Sequence, residues 1–205
     1  LLLERIEVGS FAANCYLVAC PETKEAVIID PGAEGGYIVK RVNELSLKVK
    51  YIINTHGHID HVGSNEEVKK AFEAPILIHE ADASMYKSPQ ASLALFVGKG
   101  RLTPPDRTLT EGDELEVGTL KIKVLETPGH TQGGICLDIN GSLFTGDTLF
   151  MGSIGRTDLP GGSYGQLIES IKSKILSYSD ETETFPGHGP PTTVGKERRY
   201  NPFLT

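Results

Sequence analysis

The 205-residue chain has no tryptophan, only three cysteines, and no apolar run approaching the length of a membrane span. Its longest apolar stretches, such as Ala26–Ile29 and Tyr51–Ile53, fall far short of the ~20 residues that cross a bilayer, so no membrane partner is expected. Cys15, Cys20 and Cys136 are odd in number and lack C-x-x-C spacing, which argues against a disulfide framework and for a reducing compartment. Positive charge is also in short supply. Against 20 Lys+Arg stand 27 Asp+Glu, a net charge of −7, so no global field draws in nucleic acid or an anionic surface. The one dense basic stretch, Lys196-Glu197-Arg198-Arg199, reads as a solvated face. The opening Leu1-Leu2-Leu3-Glu4-Arg5 has no basic region followed by a long apolar segment, so no export signal is read there and the expected location is the cytoplasm.

What is present is ordinary globular composition, 39% hydrophobic and 23% charged, with no repeat and no low-complexity linker. A single domain over residues 1–205 is expected. Leu2–Val8, Cys15–Ala19 and Glu25–Ile29 read as strands, Tyr37–Leu47 as a helix with Ile38, Val42 and Leu45 on one face, and Lys50–Asn54 as a buried strand. Ser64 followed by Glu67 predicts a capping box ahead of Val68, Ala71 and Phe72. Pro75–Ile78 is a further short strand, and the Gly- and Pro-containing stretch Lys87–Pro105 reads as a lid. Strands resume at Glu114–Val117, Thr119–Glu126, Ile135–Ile139 and Ser142–Thr145, with a hairpin turn at Asn140-Gly141. Gly165–Ser177 is a second amphipathic helix and Thr184-Phe185 a last strand. Strands and helices alternating in this way predict two similar α/β halves around one core.

Three of the six histidines fall within Thr55-His56-Gly57-His58-Ile59-Asp60-His61. A chance H-x-H-x-D-H arises on the order of once in several thousand chains of this composition, and this one sits between a core strand and a helix. Imidazoles and a carboxylate suit a divalent transition metal such as zinc or iron, and the absence of a nearby cysteine argues against an all-thiolate site. His56 and His58, two apart in extended chain, can converge on one ion. Asp60 and His61 are adjacent and must diverge, which suits a second ion. Gly57 and Gly63 are expected to let the backbone bend around the pair. His130, Asp147 and His188 each follow a strand and are flanked by glycine, and together with the first four they make seven candidate ligands. His79 opens a helix-like stretch with no glycine beside it and reads as structural.

These residues resemble the metallo-β-lactamase superfamily and, within it, the short single-domain form of the glyoxalase II (hydroxyacylglutathione hydrolase) group. The supporting motifs are Ile29-Asp30-Pro31-Gly32, the Thr55–His61 block, Thr127–Thr131, Thr145–Phe150, Gly155-Arg156-Thr157-Asp158 and Pro186–Pro190. The resemblance implies a four-layer αββα sandwich of the α/β class, with the site at one edge. It implies two divalent metal ions, zinc first and iron or manganese also acceptable. His56, His58 and His130 would hold one ion, Asp60, His61 and His188 the other, and Asp147 would bridge them. Asp30 would orient an imidazole from behind; its other reading is a cap on the Pro31-Gly32 turn. Arg156 would contact a substrate carboxylate; its other reading is a surface pair with Asp158.

The implied reaction is hydrolysis of an acyl-thioester such as S-D-lactoylglutathione by a hydroxide held between two ions, with Asp60 as the group that orients it or takes its proton. A thiol leaves readily, so no strong general acid is required. The C-terminal helical glutathione-binding region of full-length glyoxalase II has no counterpart before Thr205, so a related small-molecule thioester is equally in view. The alternative on the same scaffold is a mononuclear Fe(II) persulfide dioxygenase using His56, His130 and Asp147. A secreted β-lactamase is disfavoured by the lack of an export signal and by Asp147 where many carry cysteine.

Overall fold

The computed structural model describes residues 1–100 and 102–205. Strands β1 (Leu2–Val8), β2 (Ala13–Ala19) and β3 (Glu25–Ile29) form an antiparallel meander, and β4 (Lys48–Ile53), β5 (Ile76–His79) and β6 (Arg107–Leu109) extend it in parallel to six strands. Between them lie α1 (Gly35–Glu44), the single turn α2 (Ile59–Val62) and α3 (Asn65–Phe72). The second half contains β7 (Glu114–Val117), β8 (Leu120–Glu126), β9 (Ile135–Ile139), β10 (Ser142–Gly146), the small hairpin β11 (Leu149–Phe150) and β12 (Ser153–Ile154), α4 (Tyr164–Ser170), β13 (Glu183–Pro186), β14 (Thr192–Thr193) and α5 (Val194–Tyr200). Its sheet runs β14-β13-β10-β9-β8-β7.

Side-chain alternation dictates how the layers stack. On β2, Tyr16 and Val18 point one way and Cys15, Leu17 and Ala19 the other, so a strand buried on both faces serves two cores. Tyr16, Val27, Ile29, Ile53 and Leu77 meet Ile122, Val124, Ile135, Leu137 and Phe144 of the second sheet between the layers. Ile28, Ile52 and Ile76 face outward against Ile38 and Val42 of α1 and Val68 of α3. On the far side, Leu125, Cys136 and Leu143 pack against Leu167, Ile171, Ile175 and Val194. Three apolar seams between four layers give the expected αββα sandwich. Fully burying each such side chain is worth about 1.5–3 kcal/mol, which makes these seams the main source of stability.

Local signals mostly agree. Asn140 and Gly141 take φ of 51° and 85°, the pair of positive values that a tight hairpin demands. Ser163 and Thr193 cap α4 and α5 by accepting from the Gln166 and Lys196 N–H groups. Three expectations need correction. Ser64 precedes α3 but does not form the capping box, because its Oγ accepts from the Gly35 N–H at 3.2 Å and ties α1 to α3 instead. The second amphipathic helix starts as α4 but changes to a π-helical turn at Ile171–Ile175. Within the helical charge run near the C-terminus, Lys196 and Arg199 are exposed as read, but Glu197 is buried and accepts from Thr192 Oγ at 2.6 Å and Asn201 Nδ2 at 2.9 Å. Cys15, Cys20 and Cys136 are buried and free, as read. Among the described residues no helix is long and apolar enough to cross a membrane.

Candidate metal centre

The C-terminal ends of β4, β8, β10 and β13 deliver four loops to one edge of the sandwich. Backbone hydrogen bonds lock them together. Ile135 N–H donates to Thr55 C=O, Gly187 N–H to Gly146 C=O, and Asn14 N–H to Gly187 C=O, each within 2.7–2.9 Å. Ala13 and His188 form a bridge between the two sheets. The chain bends at Thr55–His56 after β4, is extended at His58 and then turns into α2, so that His56 and His58 precede the helical turn while Asp60 and His61 emerge from it. Gly57 and Gly63 are needed for size and not for an unusual dihedral. Neither has a positive φ, but a Cβ on Gly57 would meet Met85 and one on Gly63 would strike the Gly32 carbonyl.

All seven candidate ligands converge. The ligand atoms of His56, His58 and His130 lie within 4.8 Å of one another, as do those of Asp60, His61 and His188. Asp147 stands between the two groups. One of its oxygens is 3.4 Å from His61 Nε2, and the other is 3.6 Å from His130 Nε2 and 3.5 Å from His188 Nε2. Asp60 Oδ2 is 3.3 Å from His188 Nε2 and 3.5 Å from His61 Nε2. His58 Nδ1 and His130 Nε2 face each other at 2.9 Å.

Whether this donor set suits metal is decided by its unsatisfied atoms. His56 Nε2, His58 Nε2 and Asp147 Oδ1 are buried without a hydrogen-bond partner. Leaving a buried polar atom unpaired costs ~1–3 kcal/mol, so His56 Nε2, whose Nδ1 is engaged by Thr55, and Asp147 Oδ1 call for an electron-pair acceptor that protein atoms do not provide. Nitrogen and carboxylate oxygen donors without sulfur match zinc, iron or manganese.

The outer nitrogens explain why lone pairs face inward. His130 Nδ1–H donates to the Arg156 carbonyl at 2.7 Å, leaving Nε2 free toward Asp147. His61 Nδ1–H donates to Asp30 Oδ2 at 3.0 Å. Thr55 donates its hydroxyl to Asp30 Oδ2 at 2.6 Å and so presents a lone pair to His56 Nδ1 at 3.1 Å. Asp30 also accepts the Thr55 N–H at 2.7 Å and sits at φ 53°, a strained value for a non-glycine residue. The Asp30 carboxylate therefore binds the His61 imidazole and the start of the loop after β4. It does not cap the Pro31-Gly32 turn, where the Gly32 N–H donates to the Asp30 backbone carbonyl at 2.8 Å.

Electrostatics follow the same division. Burial, reinforced by the surrounding imidazoles, drives His56 well below the usual histidine range, and burial with His130 beside it lowers His58 to about 3. Burial works against charge on His61 too, but Asp60, Asp147 and Asp30 outweigh it and raise the group to about 10. His188 is likewise raised, since Asp60 and Asp147 overcome its desolvation. Burial pushes the Asp60 carboxyl up, yet His61 and His188 hold it well below the ordinary carboxylate range. His56 and His58 thus stand neutral and ready for a cation. In the triad of Asp60, His61 and His188, an entering ion would displace protons.

Over most of its length, residues 8–188, the chain matches the family described as the metallo-beta-lactamase superfamily. The chain belongs to that superfamily. Within it, the chain is 40% identical to the hydroxyacylglutathione hydrolase GloC of Haemophilus influenzae over 207 residues, 98% of this chain and 97% of the relative. It superposes on the crystal structure of BLEG-1 B3 metallo-beta-lactamase with a TM-score of 0.94 at 35% identity, covering 100% of both chains. TTHA1623, solved in a di-iron-bound form, aligns with a TM-score of 0.86 at 36% identity over 98% of this chain and 100% of that one. As a superfamily member with a hydroxyacylglutathione hydrolase relative, the protein is a metallo-hydrolase.

The superfamily site opens into a cavity of about 540 Å³ lined by His58, Asp60, His130, Asp147 and His188 at its base and by Phe11, Ile59, Leu93, Phe96, Phe150, Ile154, Leu159 and Arg156 above. Arg156 lines this cavity but also grips Asp158 through two hydrogen bonds of 2.7 and 2.8 Å at the exposed rim. The Lys87–Pro105 stretch, read as a lid, lies beside the opening, with Ser92 C=O accepting the Ile59 N–H at 2.8 Å; Arg101 within it lies outside the described residues. His79 is remote from the cluster and bonds Glu126 at 2.8 Å, in keeping with its structural reading.

Several supporting residues escaped the sequence reading. Asp82 is buried and accepts from Gly57 N–H, Gly133 N–H and Thr131 Oγ–H at 2.7–3.0 Å, clamping the His56–His58 and His130 loops to each other. Asn14 donates to the Pro186 and Gly189 carbonyls at 2.9 and 2.8 Å on either side of His188. Asn54 holds the His61 carbonyl at 3.0 Å. Asp82, within the polar stretch Glu80–Lys87, carries no local sign of its role. Asn14 and Asn54 show only as polar residues in or at the end of an apolar strand.

Proposed function

We propose that the protein is a dinuclear thioester hydrolase, with S-D-lactoylglutathione or a related small-molecule thioester as substrate. The observation that carries this reading is the convergence of two ligand triads, His56, His58 and His130 and Asp60, His61 and His188, on either side of Asp147, with His58, Asp60, His130, Asp147 and His188 at the floor of an accessible cavity. His56, His58 and His130 would hold one ion and Asp60, His61 and His188 the other, with Asp147 between them. Two bound divalent ions would supply Lewis acidity and a water nucleophile activated at neutral pH.

The chain's own residues would do the rest. Asp30 and the Arg156 carbonyl hold His61 and His130 with Nε2 inward, which fixes the ligand frame before substrate arrives. Asp60, kept ionised by His61 and His188, is placed to accept a hydrogen bond from the attacking water and so aim it. Leu93 and Phe150, on the cavity wall, would shield the carbonyl from bulk water. Arg156 would recognise a carboxylate on the thiol half through its planar fork, exchanging Asp158 for substrate. A thiolate departs without help from a strong acid. The three buried free thiols fit a reducing, cytoplasmic setting.

The likeness to BLEG-1 favours a second reading, β-lactam hydrolysis. The mononuclear Fe(II) dioxygenase reading uses only three of the seven converging ligands and leaves the Asp60, His61 and His188 triad without a role. Purified protein assayed with S-D-lactoylglutathione, with a chromogenic cephalosporin, and for O₂ uptake with glutathione persulfide separates the three. Thioester cleavage well above the other two rates is expected. Cephalosporin turnover or persulfide-dependent O₂ uptake without thioester cleavage would overturn the proposal.

A further inference from the structure

The cavity above the ligands has two walls of different character. One runs through the β11–β12 hairpin and its sequel, from Phe150 to Leu159, and carries Arg156, the sole lysine or arginine lining the cavity among the described residues. Beside Arg156 that segment brings Phe150, Ile154 and Leu159 to the lining, and the rest of the upper lining, from the first half of the chain, is Phe11, Ile59, Leu93 and Phe96, with no charged or hydrogen-bonding side chain. Its two aromatics are held out by backbone that other contacts must fix. Phe11 precedes Ala12 at φ 52°, and Phe96 belongs to a 3-10 turn that follows Leu93 at φ 62°. Ser92, fully buried, anchors that turn by accepting the Ile59 N–H through its carbonyl and donating its hydroxyl to Ser88 C=O at 3.0 Å. Even so, Phe96 is 78% exposed and Phe11 51% exposed. Large aromatics fixed over a reaction centre and left uncovered gain most when a ligand covers them.

We infer that the wall of Phe11, Ile59, Leu93 and Phe96 is the acyl subsite, and that the preferred thioesters carry an apolar acyl group, butyryl or longer or arylacetyl, over a short hydroxylated one. The inference rests on the thioesterase reading and deepens it. With Arg156 drawing the anionic thiol half to its own segment, the acyl half is directed to the part of the lining that carries no charge. A hydroxyacyl group such as lactoyl would bring its hydroxyl against a surface with no side-chain partner for it, whereas each added methylene would leave water.

The test is a series of glutathione thioesters differing only in the acyl group, from acetyl and lactoyl through butyryl and hexanoyl to phenylacetyl. A companion series of S-alkyl glutathione thioethers serves as inhibitors and reads binding without turnover. The expected result is a rise in kcat/KM, and a matching fall in inhibition constant, approaching about fourfold per methylene where burial is complete. Phe96→Ser and Phe11→Ser should flatten both slopes. Phe96 is mostly in solvent, so its replacement should leave the melting temperature and metal content in place. A flat or falling series with lactoyl cleaved would overturn the acyl subsite and leave the thioesterase reading standing. A rising series that both variants leave unchanged would overturn the assignment of this wall. Cleavage of no member by fully metallated protein would overturn the underlying reading itself.

Discussion

Replacing Asp30 with asparagine removes one charge and alters one proton position, and its consequence follows from three distances. Asp30 Oδ1 accepts the Thr55 N–H at 2.7 Å, so the amide oxygen of the introduced asparagine must take that position. The amide nitrogen then falls where Oδ2 now accepts from His61 Nδ1 at 3.0 Å and from Thr55 Oγ at 2.6 Å. A donor there reverses both bonds. His61 must accept at Nδ1, which moves its own proton to Nε2, the nitrogen facing Asp60, Asp147 and His188. Nε2 then has no lone pair for a metal. Losses of this kind weaken metal binding by about 10–100-fold, or about 1.4–2.7 kcal/mol. The loss should fall on the ion held by Asp60, His61 and His188. His56 touches Asp30 only through Thr55, so its triad should suffer less. Competition against a graded chelator series, with ¹⁵N spectra of the imidazoles to read the tautomer, would measure this. Asp30→Asn protein retaining both ions at unchanged affinity, or losing them equally, would refute the reasoning.

Other outcomes follow from the same geometry. Asp147→Ala should lower bound metal and abolish hydrolysis together, and two retained ions per chain would exclude a bridging role. Gly187→Ala places a methyl group against Asp147 Oδ1 and His61, so it should cost about 1–3 kcal/mol of stability by overpacking and impair metal uptake, as read by thermal melts and metal analysis. Arg156→Ala should raise KM for an anionic thioester much more than for a neutral one. Equal effects would assign Arg156 to its bond with Asp158 alone. The His79–Glu126 pair gives a pH-dependent test. The hydrogen bond from His79, helped by the Glu111 N–H, holds the Glu126 carboxyl below its usual range. A lowered folded value contributes stability that is present above the unfolded carboxyl range near ~4.3 and is lost as pH falls through the folded one. The Tm deficit of Glu126→Gln should therefore be visible at neutral pH and fade below about pH 4.

The layers and the ligands were legible for different reasons. Alternation along Glu114–Val117 and Leu120–Glu126 reports burial directly, because a period of two is a local property of a strand. The seven candidate ligands were legible as residue types with unusual spacing, and the structure brings all seven to one edge. What sequence could not reveal was the scaffolding. Ser64 carries a helix-capping signal, yet its hydroxyl serves Gly35, twenty-nine positions away. Asp82 and Asn14 act on loops 25 to 175 residues distant, beyond any window of sequence, and Asn54 acts on His61 seven residues on with no periodicity to mark the bond. Short elements such as β11, β12 and β14 exist because neighbouring loops pair with them, and their two-residue lengths carry no periodicity.

Metal stoichiometry is the measurement on which the account depends most. The protein should be purified without chelator, reconstituted with zinc, iron or manganese in separate samples, freed of excess ion and analysed for metal per chain. Two ions per chain are predicted, with both lost in Asp147→Ala. A single ion that persists when His61 or His188 is replaced would contradict the dinuclear centre.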